Sequence, residues 1–195
     1  MPKLGMQPIR KAALVDAAIF EIGRVGTLDV TVSQIAKRAG MSPALAHHYF
    51  GSKEEMFLAA MRHVMTLYGA EIRGALALVE TPQQRLAAIL RASFSPGNFR
   101  REVVGAWLNF WVLAQTVPAA KRLLAIYQRR LHSNLMVGLR PLADGRADRI
   151  ASGLAALIDG LYLREALKSG APDGAFAVQI AMEYLAAQLP DKFAQ

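Results

Sequence analysis

Two short helical segments joined by a glycine turn constrain the fold of this chain more than any other feature. Thr31 and Ser42 are residue types that cap helix N-termini, and an apolar pattern with helical spacing follows each of them. Gly40 lies between the two segments and can take the positive φ that a sharp turn needs. The spacing predicts a helix-turn-helix, a unit that places its second helix in the major groove of DNA.

The rest of the chain has the same periodicity. Hydrophobic residues make up 53% of it, and no segment alternates like a half-buried strand. The pattern predicts an all-α fold of about nine helices. Their expected bounds are residues 8–25, 32–39, 43–50, 52–80, 82–94, 99–116, 118–140, 144–168 and 172–189. We expect two domains: residues 1–53, called the reading head below, and a helical sensing and dimerisation domain over residues 54–195.

The composition argues against several classes of protein. Without cysteine the chain can form no disulfide and perform no thiolate catalysis. It has no G-x-S-x-G motif or phosphate-binding glycine loop, so we expect no enzyme. The N-terminal segment lacks the apolar core of a secretory signal, which favours a cytoplasmic protein. The uncharged run Val103–Ala120 contains Asn109 and Pro118, which favours a buried helix over a membrane span.

The positive charge of the chain is consistent with a polyanionic partner but does not locate it. The formal net charge is +8. Residues 1–63 carry eight Lys/Arg and five Asp/Glu, whereas residues 100–149 carry nine and three. A local bias is more informative: the segment Thr31–Lys53 contains basic residues and no carboxylate. This bias supports nucleic-acid binding by the helix-turn-helix.

The segment TVSQIAKRAGMSPALAHHYFGSKEEMF, Thr31–Phe57, resembles the signature of the TetR family of repressors. The resemblance implies double-stranded operator DNA as the partner, with Lys53, Tyr49, His48 and Thr31 at backbone phosphates. Base readout is then expected from the second helix, with apolar side chains on thymine methyls and a histidine donating to purine edges. The predicted DNA-binding residues are Thr31, Ser33, Ser42, Pro43, Ala44, Leu45, His47, His48, Tyr49 and Lys53.

Neither a metal nor another cofactor is expected. His47 and His48 could be considered as ligands, but adjacent helical residues point about 100° apart, and no partner stands at ligand spacing.

A pair of tryptophans marks the second half of the chain. Trp107 and Trp111, the only two, share one helix face, and aromatic walls of this kind attract organic cations. Asp159 interrupts the apolar segment GLAALIDGLYL, where a lone carboxylate needs a cation or hydrogen-bond donors. Core packing of the indoles, with Asp159 pairing an arginine across a subunit interface, is the alternative interpretation. The predicted ligand-binding residues are Trp107, Asn109, Phe110, Trp111, Asp159 and Tyr162, to which Tyr127 could add.

Over essentially its full length the chain resembles the choline-responsive BetI repressors of glycine betaine synthesis. The segments MPKLGM, AWLNFW, RRLHSNL and LAALIDGLYLREAL carry this resemblance. It implies a repressor of this osmoprotectant pathway that is relieved by choline or its aldehyde. The alternative is a TetR-type repressor that senses another organic cation or a drug-like apolar ligand.

A homodimer is the expected assembly. The last two helices, residues 144–168 and 172–189, would form a four-helix interface, with Gly153, Ala156 and Gly160 allowing close approach. The two reading heads would meet half-sites about 34 Å apart. Ligand binding would tilt the long helix that begins near Glu54 and change that separation.

Overall fold

The computed structural model describes residues 6–193, which are all-helical, as predicted, and contain no β-strand. Met1–Gly5, most of the MPKLGM segment, fall outside this range. The helices are α1 (Met6–Val25), α2 (Val32–Arg38), α3 (Pro43–Phe50), α4 (Lys53–Leu76), α5 (Pro82–Ser93), α6 (Arg101–Thr116), α7 (Pro118–Leu139), α8 (Ala147–Leu167), α9 (Gly174–Gln188) and α10 (Pro190–Phe193).

Hydrogen-bonded caps fix the predicted helix-turn-helix. The Thr31 hydroxyl accepts from the Gln34 backbone N–H at 3.2 Å, and the Gln34 side chain accepts from the Thr31 N–H at 2.7 Å. This reciprocal capping box starts α2. Ser42 caps α3 by accepting from the Leu45 N–H at 3.2 Å. Gly40 has a φ of +67° in the turn between the two helices, as its position predicts.

Two helix bounds differ from the sequence prediction by three or four residues, each for a local reason, and the others lie within two residues of it. The fourth helix ends at Leu76 and not near Glu80. The N–H groups of Glu80 and Thr81 donate hydrogen bonds to the Gln84 side chain at the start of α5, so they are not available to continue α4. The eighth begins at Ala147 and not at Asp144, because Asp144 has a φ of +41° in a tight turn. The short α10 was not predicted.

A continuous core joins the N-terminal and C-terminal helices. The first three helices pack together and against the start of α4, which then runs on to contact α5 and α7. Helix α6 packs between α1 on one side and α7 and α8 on the other, and α9 lies against α8 and α5. A single cluster of buried apolar side chains extends from Leu14 to Leu189. The boundary at residues 53 and 54 remains a prediction.

The crossing of α1 and α6 is unusually close. A Cβ atom added to Gly23 would lie far inside van der Waals contact with the backbone of Glu102, and one added to Gly105 would lie 3.0 Å from the Cα of Gly23. One turn further along α6, the Asn109 amide donates to the carbonyl oxygens of Gly26, at 3.2 Å, and of Gly105, at 2.9 Å. Helix α6 is thus in backbone contact with the end of α1.

The uncharged run Val103–Ala120 is divided between α6 and α7 at Val117. No helix within residues 6–193 combines the length and the apolar character needed to cross a bilayer. The same residues bring together no group of three or more His, Asp and Glu side chains able to hold a metal ion.

Candidate functional sites

The predicted DNA-contacting residues of the reading head are mostly accessible to solvent. Eight of the ten are exposed, and Leu45 and Tyr49 are half-buried. Behind them Ala46 is completely buried with Ile35 and Ala36, which lets α2 and α3 pack closely. The second helix of the motif therefore presents its outer side to solvent while its inner side is fixed in the core.

A buried carboxylate braces the angle between α1 and α2. Glu21 is 6% exposed and forms an ion pair with Arg24, at 2.7 Å, and a longer one with Arg38 at the end of α2, at 3.6 Å. The Arg38 guanidinium also lies over the ring of Phe20, 3.1 Å from its centre. These contacts hold the helix-turn-helix against the long first helix, and no local pattern in the sequence indicated them.

Lys53 and His47 both make contacts with backbone carbonyls. The Lys53 ammonium donates to the Leu28 oxygen at 2.9 Å, which ties the start of α4 to the segment between α1 and α2. The His47 Nδ1 lies 3.2 Å from the Gly51 oxygen. A carbonyl oxygen only accepts, so Nδ1 donates this hydrogen bond and Nε2 is left free to contact DNA. That His47 donates to purine edges stays a prediction.

Five aromatic rings surround a small cavity in the C-terminal half. The Trp107 ring lies 4.5 Å from Tyr127, 6.0 Å from Trp111 and 6.4 Å from Tyr162, measured between ring centres. The cavity that these residues share has a volume of about 10 Å³, which is room for roughly one water molecule. Its lining residues, called the cage below, are Tyr68, Ser93, Asn98, Trp107, Trp111, Tyr127, Ile158 and Tyr162.

Asp159 supplies a carboxylate beside the cage. The Tyr127 hydroxyl donates to its Oδ1 at 3.4 Å. Desolvation by burial raises the pKa of Asp159 to about 6, and the hydrogen bond from Tyr127 opposes that rise. Within residues 6–193 no Lys, Arg or His side chain pairs with this carboxylate. At pH 7 the aromatic cluster therefore has a negative charge at its edge with no cation beside it.

The structure brings some of the predicted ligand residues together and separates others. Trp107, Trp111 and Tyr162 line the cage. Phe110 is 2% exposed and packs edge-on against Trp107 without lining the cavity. Asn109 faces the opposite way, because its amide is hydrogen-bonded at the α1 crossing. We therefore leave Asn109 and Phe110 out of the proposed cage.

Sequence reasoning missed Ile158 on α8 and three cage residues on other elements. The Tyr162 hydroxyl donates to the backbone oxygen of Ser93 at 2.6 Å, and the hydroxyl groups of Tyr68 and Ser93 are 3.0 Å apart. Asn98 donates to the carboxylate of Glu71 at 2.7 Å. Tyr68 lies on α4, Ser93 ends α5 and Asn98 follows in the loop, so no spacing within one helix marks them as a set.

The capped helix-turn-helix on an all-helical body defines the class of this protein. Residues 14–60 match the model for bacterial regulatory proteins of the tetR family, and residues 82–190 match that for the C-terminal domain of BetI-type transcriptional repressors. The chain belongs to the BetI-type group of TetR-family transcriptional repressors, which are regulators and not enzymes. TetR regulators bind operator DNA and dimerise, and a regulator of this kind acts in the cytoplasm, as the sequence led us to expect.

Curated relatives share about half of the sequence over almost the whole length. The HTH-type transcriptional regulator BetI of Brucella anthropi is 52% identical over 190 residues, covering 97% of this chain and 98% of that protein. The BetI of Rhizobium meliloti is 49% identical over 190 residues, covering 97% and 94%.

Solved structures confirm the fold. A transcriptional regulator from Pseudomonas aeruginosa PAO1 superposes with a TM-score of 0.78 at 27% identity, over 94% of this chain and 91% of that one. A regulator from Saccharomonospora viridis, solved in complex with choline, gives 0.77 at 23% identity, over 90% and 94%.

Proposed function

We propose that this repressor controls the conversion of choline to glycine betaine and leaves its operator when the cage binds choline or a closely related quaternary ammonium ion. The observation that carries the proposal is a cluster of five aromatic rings beside Asp159. Aromatic faces hold quaternary ammonium groups at about 0.5–2 kcal/mol per contact. The names of the BetI relatives and the choline complex of the Saccharomonospora viridis regulator support the same ligand.

In this proposal the exposed residues of the reading head contact DNA. Lys53, His48 and Thr31 would lie at phosphates, where Lys53 would exchange its contact with the Leu28 carbonyl for a phosphate oxygen. Ala44 and the Nε2 of His47 would face base edges. In such an arrangement the contacts to phosphates form on any DNA sequence, whereas the contacts to base edges depend on the sequence.

Ligand binding must move the cage. Its volume of about 10 Å³ cannot hold a trimethylammonium group, since that volume is roughly the space of one water molecule. The rings of Trp107 and Trp111 on α6 would have to separate from Tyr127 on α7 and Tyr68 on α4. Because protein interiors are close-packed, this separation would displace whole helices.

The displaced helix α6 would transmit the change to the reading head. Its opposite side is in backbone contact with α1 through Gly23 and Gly105, and Asn109 hydrogen-bonds to Gly26 at the end of α1. We infer that α1 moves with α6, in addition to the expected tilt of α4. DNA and ligand would then bind antagonistically with equal coupling, commonly about 1–3 kcal/mol.

The exposed sides of α8 and α9 are the surface on which we place the dimer contact. Leu163 is 41% exposed and Phe176 49% exposed, and Ala156 faces outward on α8. Within the chain the Tyr184 hydroxyl of α9 packs directly over Gly153, a contact that a larger side chain there would block.

We expect Lys53→Ala to weaken operator binding by a similar factor on every DNA sequence, because a phosphate contact carries no base information. The slope of log affinity against log salt would become shallower by about one unit. Fluorescence anisotropy over a salt series measures this. Lys121→Ala, an exposed lysine on α7, serves as the control with an unchanged slope. A wild-type slope for Lys53→Ala would show that this lysine does not reach phosphate.

Choline binding is expected to weaken as the pH falls through about 6. The ionised Asp159 attracts the cation, and its pKa, raised to about 6 by burial, means that it becomes neutral below that value. A single protonation makes the affinity at pH 5 about tenfold lower than at pH 7.5. Both tryptophans lie in the cage, so intrinsic fluorescence follows the titration.

The uncharged carbon isostere of choline, in which a tert-butyl group replaces trimethylammonium, is the control ligand. It should bind more weakly at pH 7.5 and show no pH dependence. Equal binding of the isostere and choline would reject a cation site and favour the apolar-ligand alternative.

A further inference from the structure

A second, larger cavity adjoins the cage. It lies between α4 and α7, has a volume of about 600 Å³ and shares Tyr68 and Tyr127 with the cage. That volume falls within the usual range of small-molecule sites. Apolar side chains, among them Met65, Ile72 and Leu123, form part of its lining. We call this cavity the outer cleft.

Three arginines line the outer cleft, and they have few partners. Arg62 reaches Glu55 only at 4.0 Å, in a pair of exposed side chains. In the part of the chain that the structure describes, Arg73 and Arg130 have no carboxylate within 4.0 Å. Ser133 and Asn134 add hydrogen-bonding groups to the same lining. The cleft thus offers positive charge and polar groups above an apolar surface.

The arginines stand close to the two tyrosines that separate the cleft from the cage. Arg130 follows Tyr127 by three residues on α7, which places the two side chains on the same face about 5–6 Å apart at Cβ. Arg73 follows Tyr68 by five residues on α4, a rise of about 7.5 Å along the helix. Because Arg130 and Tyr127 both line the cleft, an anionic group bound by Arg130 would lie beside a ring of the cage.

We propose that the outer cleft is a subsite for the anionic group of a zwitterionic quaternary ammonium ligand. The cage and Asp159 would hold the ammonium end, and Arg73 and Arg130 would bind a carboxylate or a phosphate on a short linker. The guanidinium group is suited to this task, because its N–H donors match both anions in a bidentate arrangement. This inference rests on the proposed cation site and adds a second charge to the ligand that the site takes.

The opposed charges are what distinguish such a ligand from choline. A lone cation gains from Asp159 but meets the positive rim of the cleft, whereas a zwitterion gains at both ends. Oxidation of the alcohol end of choline would supply a carboxylate, and attachment of a phosphate there would supply a phosphate. The arginines of the cleft could bind either anion.

The test compares choline, glycine betaine and phosphocholine in tryptophan fluorescence titrations at low salt and pH 7.5. We expect at least one zwitterion to bind wild-type protein about tenfold more tightly than choline. Arg73→Gln and Arg130→Gln should each remove most of that advantage and leave choline binding unchanged or tighter. Arg129→Gln is the matched control, because this neighbouring exposed arginine does not line the cleft.

Each outcome has a definite meaning. Zwitterion binding that is lost only with Arg73 or Arg130 supports the subsite, and whichever zwitterion binds identifies the anion. Choline binding with no advantage for either zwitterion overturns the subsite and leaves the proposed function intact. An equal effect of Arg129→Gln also overturns it, because the cause would be the general positive charge of α7. If neither choline nor a zwitterion binds, the cation site itself is rejected.

Discussion

Replacing Gly23 with alanine is expected to destabilise the protein by about 1–3 kcal/mol, although alanine is the better helix former. The added methyl group would enter the backbone of Glu102 on α6. A backbone atom cannot rotate away as a side chain can, so α1 and α6 would have to separate. Urea unfolding measures the change in the free energy of unfolding.

Gly74→Ala is the matched control for this prediction. Gly74 lies within α4, and nothing stands within 4 Å of a Cβ added there. This substitution should stabilise the protein by up to about 1 kcal/mol, because alanine replaces glycine in a helix without a clash. If Gly23→Ala behaved like Gly74→Ala, the close contact of α1 and α6 would be contradicted.

The same variant tests the route from the cage to the reading head. With α1 and α6 forced apart, the cage keeps its lining residues, so choline should still quench or shift tryptophan fluorescence. The loss of operator affinity on adding choline should, however, be smaller than in the wild type. An undiminished response would assign the transmission to α4 alone.

Asp159→Asn is expected to stabilise the protein at neutral pH and to abolish its response to choline. The native carboxyl keeps its proton up to about pH 6, whereas the unfolded one loses it near pH 4. Between these values the native state binds more protons, so wild-type stability falls as the pH rises, and it stays lower above pH 6. Asparagine removes this loss and can still accept from Tyr127.

The gain in stability is expected to be about 1–3 kcal/mol at pH 7.5 and close to zero near pH 4. Urea unfolding of the two proteins at both pH values measures it. A variant that is less stable than wild type at pH 7.5 would mean that the carboxylate has a structural partner, as the subunit-interface alternative requires. A gain in stability with loss of choline binding is the pattern expected of a ligand site.

Local signals in the sequence specified the helix-turn-helix almost completely. Thr31, Ser42 and Pro43 act at helix starts, and Gly40 acts at a turn, within a few residues of their own positions. The caps are hydrogen bonds to a residue three positions further on, so the local sequence is enough to predict where these helices begin. The end of α4 was misplaced because the Gln84 side chain takes the hydrogen bonds of the Glu80 and Thr81 N–H groups. The hydrophobic periodicity of the sequence does not show such side-chain hydrogen bonds.

The cage could be predicted only in part, because it is assembled from different helices. Trp107 and Trp111 lie four residues apart on α6 and were found by spacing. Tyr68 reaches the same cavity from α4 and Ser93 from α5, which depends on how the helices pack. The misassigned direction of Asn109 has the same origin, since the contact with Gly26 joins residues 83 positions apart.

We propose above all that a quaternary ammonium ion in the cage releases this repressor from DNA. Fluorescence anisotropy with the palindromic DNA upstream of its gene, at fixed salt and pH 7.5, tests it most directly in wild-type and Asp159→Asn proteins. We predict that choline lowers wild-type affinity for the operator about 5- to 150-fold and that the uncharged isostere does not. Asp159→Asn should bind the operator with an affinity that choline does not change. Wild-type operator binding that choline leaves unchanged would contradict this proposal.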